Sequence, residues 1–334
     1  LCTFLLFGPV LQGAKGIDAA KLVAGQKATE QGVERVRAFL GLNEPWYKQY
    51  YIYMRRVVLG PSDSDKEKFC IEGQSCGHTV GRLGTSFDKT LAVDWLIRQA
   101  FPVTLQLALL AAAFWLLLSI PIGVLSALRS KSVFDRVAMV GVLWGQSLPV
   151  YYFGLLALYF LAYLPNSDTM IDWIGVRFEL FPIGGYVDFD WSNPWPWFHA
   201  MILPAATLSL QFAALYVRMI RSNMMGIMSE DYIRTARAKG LPERRVVVRH
   251  GLRNALLPVV TMFGMDLGLL LGGAILTEAT FGLPGIGKLT VDSAGSLDVP
   301  TVNGLVLFAG ALIVTFNLAV DLVYAVLDPR IRLA

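Results

Sequence analysis

Residues 282–289, GLPGIGKL, come within one position of the loop that cradles nucleotide phosphates, G-x-x-x-x-G-K-[ST]. In that loop backbone N–H groups surround the phosphates, the lysine reaches the terminal ones and the hydroxyl holds magnesium. Here Leu289 stands where the hydroxyl must be and no strand precedes the segment, so nucleotide binding is rejected. Cys2, Cys70 and Cys76, with His78, His199 and His250, form no metal-ligand spacing, and no metal site is expected. Cys70 and Cys76, in FCIEGQSC, are a disulfide candidate if they lie in an oxidising compartment; two unpaired thiols are the alternative. One carboxylate sits in an improbable place: Asp266, inside the apolar run VVTMFGMDLGLLLGGAIL.

The elements that must position these residues are set by the composition. The chain is 55% hydrophobic and 16% charged, against about 25% charge in an ordinary soluble protein. Its mean hydropathy is +0.53. The class is therefore an all-α polytopic membrane protein. Apolar stretches near the length of about 20 residues that crosses a bilayer occur at 101–128, 137–164, 200–220, 255–277 and 302–327. The first contains Pro121 and the second Pro149, each expected to kink its span. Residues 1–12 are apolar but too short. They are expected to be the remainder of a first transmembrane helix that begins upstream, which makes about six helices.

Residues 13–100 form a polar segment, expected to be a small domain on one side of the membrane. ATEQGVERVRAFLGLNEP reads as an amphipathic helix with Val33, Val36, Phe39 and Leu40 on one side. Pro45 opens a second helix rich in aromatics. Bases alternate between the loops. The 129–136 loop has three, the 221–254 loop eight, and the tail Arg330 and Arg332; the 165–199 loop has only Arg177 and the 278–300 loop only Lys288. The positive-inside rule then places 129–136, 221–254 and both termini in the cytoplasm. The 13–100 domain is extracytoplasmic, as is the aromatic run WSNPWPWFH, which suits a membrane interface.

An Asp at mid-span opposes insertion by roughly 2.5–3.5 kcal/mol, and the eleven Leu, Ile, Val and Phe residues of 255–277 return roughly 3–7 kcal/mol. Insertion is thus compatible with Asp266. It is a candidate pathway residue, together with Gln211 and Met262; satisfaction by a neighbouring helix is the alternative. Gly264, Gly268 and Gly272 recur every four residues and make a smooth stripe for a close helix, whether of this chain or of another subunit. The glycines and proline of 281–287 are expected to form a tight re-entrant turn at an outer mouth, built from Phe281, Gly282, Pro284, Gly285 and Gly287.

The longest basic interruption between spans is 229–258, SEDYIRTARAKGLPERRVVVRHGLRNALLP. Ser229 is expected as its N-cap. Glu230 and Arg234 have the spacing of an ion pair. Gly240 is placed for a left-handed cap and Pro242 for the first turn of a following helix. A helix of about ten residues is too short to stand alone in water, so it needs something to dock on.

This stretch resembles the signature of ABC importer permease subunits, specifically the B-type permeases of the oligopeptide/dipeptide/nickel family. The resemblance rests on Tyr232-Ile-Arg-Thr-Ala-Arg-Ala-Lys-Gly240-Leu-Pro and Arg249-His-Gly-Leu-Arg-Asn-Ala-Leu-Leu-Pro258. It also covers LNEPWYKQYYIYMRRVVLG, GRLGTSF, FPVTLQLAL, TEATFGLPGIGKL and DLVYAVLDPRIR. The chain departs from the family in three places: a longer insertion around Cys70–Cys76, FGPVLQGAKG where a Pro-Gly element is usual, and Thr235-Ala236 in place of two alanines after an acid. The resemblance implies a type I ABC importer permease fold in a bacterial inner membrane, with no cofactor and no catalytic site of its own. It implies a second homologous permease, two ATPase subunits that hold ATP and magnesium, and an extracytoplasmic peptide-binding protein, all set in membrane lipid; no nucleic acid is involved. Tyr232, Ile233, Thr235, Ala236, Lys239, Gly240, Leu241 and Pro242 are the implied ATPase-coupling residues. Two other readings are a proton-coupled secondary transporter using Asp266 and an ABC permease for nickel or another small solute.

Overall fold

The computed structural model describes residues 45–61, 81–86, 88–89, 91–164, 181–272 and 274–327. Cys70, Cys76, the 1–12 run and, but for Pro45, the proposed helix ATEQGVERVRAFLGLNEP lie outside them. The regular structure of the described residues is helical apart from two isolated β-bridges, Gly81 with Gly84 and Thr85 with Ala92. Eleven helices follow in order: α1 Trp46–Leu59, α2 Val93–Leu128, α3 Val133–Ser147, α4 Val150–Tyr163, α5 Trp195–Met228, α6 Asp231–Ala238, α7 Glu243–Ala255, α8 Leu257–Leu271, α9 Ile275–Phe281, α10 Ile286–Gly295 and α11 Val299–Leu327. The last turns of α4 and the middle of α7, Leu158–Tyr163 and Val246–Leu252, are wound as π-helix.

Three helices, α2, α5 and α11, are long and apolar enough to cross a bilayer; α3 with α4 and α7 with α8 bring the number to five if each bent pair is one span. The second span differs from the expected single kinked helix. Leu148 is extended (φ −101°, ψ 134°) before Pro149, and α3 and α4 meet at 100°. Proline removes an N–H and disfavours the helical region for the residue before it, which here breaks the helix outright. Pro121 and Pro204, in contrast, lie inside continuous helices. The third span is longer than 200–220: α5 runs on to Met228, so Arg221 belongs to the span helix. The fourth is shorter than 255–277, because α8 stops at Leu271 ahead of Gly272 and Gly273, and its axis is bent 46° from α7.

The described residues divide into two units. The first comprises those up to Pro102 with Gly285–Ala311. Its core is Val93, Leu96, Ile97 and Ala100 of α2, Ile286 and Leu289 of α10, and Leu305 of α11. The Asp94 carboxylate ties in the preceding chain by accepting the backbone N–H groups of Arg82 (2.7 Å) and Leu83 (2.8 Å). Asp298, buried, accepts from the hydroxyls of Ser86 and Thr301.

The second unit, Val103–Pro284 with the residues from Leu312 onwards, is organised around α5. Trp115 of α2 is wholly buried, stacks on Phe212 at 4.7 Å and lies 5.8 Å from Phe263 of α8. A Cβ on Gly264 would fall 1.7 Å from Val320 Cγ2, and one on Gly268 3.0 Å from Phe316 Cβ. The small-residue stripe therefore receives α11 of the same chain, which answers the choice between intrachain packing and a subunit interface for these two glycines.

Candidate functional site

The 229–258 stretch is a helix, a sharp turn and a second helix, with two local differences from expectation. Ser229 does not cap α6: its hydroxyl donates to Gly226 O at the end of α5, and extended Glu230 (ψ 151°) is the N-cap residue. The Ser229 hydroxyl is taken up by the helix it ends instead of the one that follows. Arg234 pairs with Asp231 at 3.4 Å, three residues back, instead of with Glu230. Both partners are largely exposed, so either pairing contributes only a few tenths of a kcal/mol.

The turn itself is as expected. Gly240 has φ +74°, the Gly240 N–H donates to Arg237 O at 2.9 Å and the Leu241 N–H to Ala236 O at 3.4 Å. This is the two-bond helix stop that needs a left-handed residue, with Leu241 packing back beside Ala236. Pro242 serves as the N-cap of α7 and does not enter its first turn. Arg237 and Glu243 close the turn from outside as a two-bond ion pair, 2.7 and 3.1 Å.

The faces of α6 separate cleanly. Ile233 is fully buried and Ala236 nearly so, packed with Val246 of α7 and with Ile227, Met228 and Leu241. The dock that a short helix requires is thus supplied, on this face, by the chain itself. Tyr232, Thr235, Lys239, Gly240 and Pro242 are exposed. Tyr232 is 41% exposed, with its hydroxyl fixed by Asn254 Nδ2 at 2.9 Å. Of the eight residues singled out, five point away from the chain and three hold the unit together.

A second cluster went unnoticed in the sequence. Asp135, at the start of α3, accepts Arg221 of α5 through two bonds, 2.6 and 2.8 Å, and also accepts the hydroxyl of Ser126 and the N–H of Lys131 (2.9 Å). Its own N–H donates to Ser132 Oγ. The Asp135 side chain is 6% exposed and Arg221 24%. Ser132-x-x-Asp135 before an apolar run, the sequence pattern of a helix start, was the available signal for Asp135; nothing local points to Arg221. The pair fastens α3, and the turn that leads into it, to the part of α5 that runs directly towards α6.

The pathway candidates do not form one cluster. Asp266 is half-buried and its Oδ2 accepts the Tyr216 hydroxyl at 2.7 Å. Met262 is half-buried one turn earlier, and Gln211 is exposed on α5. Trp115 over Phe212 and Gly123 over Ile220 share one register between α2 and α5, which puts Ser119 level with Tyr216. Among the described residues the buried Trp115 Nε1–H and Ser119 Oγ have no hydrogen-bond partner. Phe281 and Gly282 end α9, Gly282 in the left-handed region (φ +68°), with the Leu283 N–H returning to Glu278 O. Phe281 O in turn accepts the Gly185 N–H at 3.1 Å. Pro284 ends this unit; Gly285 and Gly287 belong to the first unit, as the N-cap and first turn of α10.

Comparison with known proteins adds the following. Residues 119–333 match the family described as binding-protein-dependent transport system inner membrane component, and residues 1–108 match its N-terminal counterpart. The chain is 36% identical over 326 residues to the dipeptide transport system permease protein DppB of Escherichia coli K12, covering 94% of this chain and 90% of the relative. It is 36% identical over 324 residues to the oligopeptide transport system permease protein AppB of Bacillus subtilis (97% and 92%). It is also 36% identical over 332 residues to a putative peptide transport system permease protein of Brucella abortus (99% and 93%). The fold is similar to that of a solved structure of the MetNI methionine ABC transporter in inward-facing conformations. The TM-score is 0.54 at 17% identity, over 70% of this chain and 97% of that chain.

Proposed function

Because this chain belongs to the binding-protein-dependent transport system inner membrane components, we propose that it forms half of a pathway through which an ATP-driven importer carries di- or oligopeptides. It is an ABC transporter permease with membrane-spanning helices. The cargo follows from relatives named as dipeptide, oligopeptide and peptide permeases. The same membership favours ATP-driven import over proton-coupled transport through Asp266. The partners are a second homologous permease, two ATPases that hold ATP and magnesium, and an extracytoplasmic peptide-binding protein. Both termini and the 221–254 loop face the cytoplasm of a bacterial inner membrane. Residues 13–100, with Phe281, Gly282, Pro284, Gly285 and Gly287, face the opposite side.

The observation that carries the coupling role is the two-sidedness of α6. Its inner side, Ile233 and Ala236, is spent on the chain's own core, so its position is fixed relative to α5 and α7. Its outer side offers Tyr232, Thr235 and Lys239 to another protein. A partner pushing on α6 therefore moves the end of the apolar α5, and the α7 that leads into α8, with it. A purely lipid-facing basic loop would have no reason to bury one side and close its turn with an ion pair.

The test is proximity within the assembled transporter. Thr235→Cys, in a complex whose ATPase subunit carries single cysteines in its permease-facing groove, is expected to form a disulfide that blocks ATP-driven peptide uptake reversibly. Absence of any cross-link from Thr235→Cys and Lys239→Cys, in a complex shown intact by its co-purification, overturns the assignment.

A further inference from the structure

Asp266 stands ten residues into the fifteen of α8, roughly 14 Å along its axis. An ionisable side chain within a membrane span almost always faces a protein interior or a water-lined cavity. Its two oxygens are treated differently. Oδ2 is fixed by the Tyr216 hydroxyl, whose ring is completely buried beside Trp115, 5.9 Å between centroids. Oδ1 has no partner among the described residues, and no described Lys or Arg pairs with the carboxylate. The side chain is half-buried, so that oxygen is not sealed away. Phe263, one turn earlier on the same side of α8, joins Trp115 and Phe212 in an aromatic cluster behind it. An oriented carboxylate with one accepting edge open is a receptor for a cation.

We propose that Asp266 receives the N-terminal ammonium of a peptide in transit, with Tyr216 as the positioning residue that turns Oδ1 outward. This rests on the reading of the cargo as a peptide. The chemistry fits that cargo: every free peptide carries an ammonium at its start whatever its sequence, so a single carboxylate serves a mixed population. A lone carboxylate, with no second full charge beside it, keeps the site weak enough to release.

Asp266→Asn retains the volume and an acceptor for Tyr216 and removes only the charge. In the complete reconstituted transporter, with peptide-loaded binding protein varied in concentration, it is expected to lower maximal uptake by roughly tenfold or more, the loss of one charge-assisted hydrogen bond. The half-saturating concentration of loaded binding protein stays unchanged, because docking occurs elsewhere, and the melting temperature of the complex stays within about 2 °C of wild type. Asp266→Glu is expected to recover most of the uptake. Tyr216→Phe, which frees the carboxylate to rotate, gives an intermediate loss. Wild-type maximal uptake in Asp266→Asn overturns the proposal, as does a loss accompanied by a lowered melting temperature that Asp266→Glu shares. If the wild-type transporter itself moves no peptide, the cargo reading fails first and the proposal falls with it; those two failures are told apart by the wild-type control.

Discussion

Replacing Asp135 by Asn isolates the ion pair that fastens α3 to α5. Asn occupies nearly the same volume. Its carbonyl can still accept the Lys131 N–H and its amide can still meet Ser126, so the turn before α3 keeps its bonds. What disappears is the charge opposite Arg221, to which two bonds of 2.6 and 2.8 Å are made. Removing one partner of a buried ion pair destabilises by about 3–5 kcal/mol, most of it the desolvation of the charge left behind. Arg221 is 24% exposed, so water reaches part of the guanidinium and the lower end, about 3 kcal/mol, applies. At roughly 2–4 °C per kcal/mol for a body of this size, thermal unfolding of the purified complex moves down by about 6–12 °C. Arg221→Met should behave similarly. The double variant should lose at least about 1 kcal/mol less than the sum of the singles, since neither charge is then left buried alone. A shift for Asp135→Asn below about 2 °C, or strictly additive effects, refutes the claim that this pair holds the two helices together.

Gly240→Val is expected to leave the complex assembled and to uncouple it. Nothing stands within 4 Å of a Cβ there, so the strain is that of a β-branched residue at φ +74°, about 1–2 kcal/mol or more, and it acts on the shape of the turn. Undiminished ATP-driven uptake refutes that turn. Gly264→Ala is expected to destabilise clearly more than Gly268→Ala, by about 1–3 kcal/mol of overpacking, because its Cβ falls 1.7 Å from Val320 rather than 3.0 Å from Phe316. Equal melting temperatures for the two variants refute the close approach of α8 and α11. Ser119→Ala removes a buried hydroxyl without a partner among the described residues, so stability is expected to hold or to rise by up to about 1 kcal/mol. A fall in melting temperature means that the hydroxyl is bonded.

Much of the molecule is legible from composition and local pattern, and the legible part has a common cause. Hydropathy placed the apolar runs that became α2, α5, α8 and α11, because a bilayer span is a property of about 20 consecutive residues. The Gly240-Leu-Pro turn was readable because the sign of φ depends on the residue itself. Capping was less so. Ser229 could serve the end of one helix or the start of the next, and the chain alone does not say which. Pro149 and Pro121 look alike in sequence, yet one breaks its span by 100° and the other lies within a continuous helix.

By itself, then, the sequence determined a membrane-embedded helical protein, the approximate position of its spans, and a short basic helix ended by a glycine. Each of these follows from residues close together in the chain. The tertiary structure alone decided that Ile233 and Ala236 turn inward while Tyr232 and Thr235 turn out, that Asp135 meets Arg221 from 86 residues away, and that Tyr216 holds Asp266 from 50 residues away. Apart from the glycine stripe of α8, spans that are apolar on all sides carry no stripe to announce which face meets which neighbour. Their rotation about their own axes is fixed only when side chains from distant segments interlock.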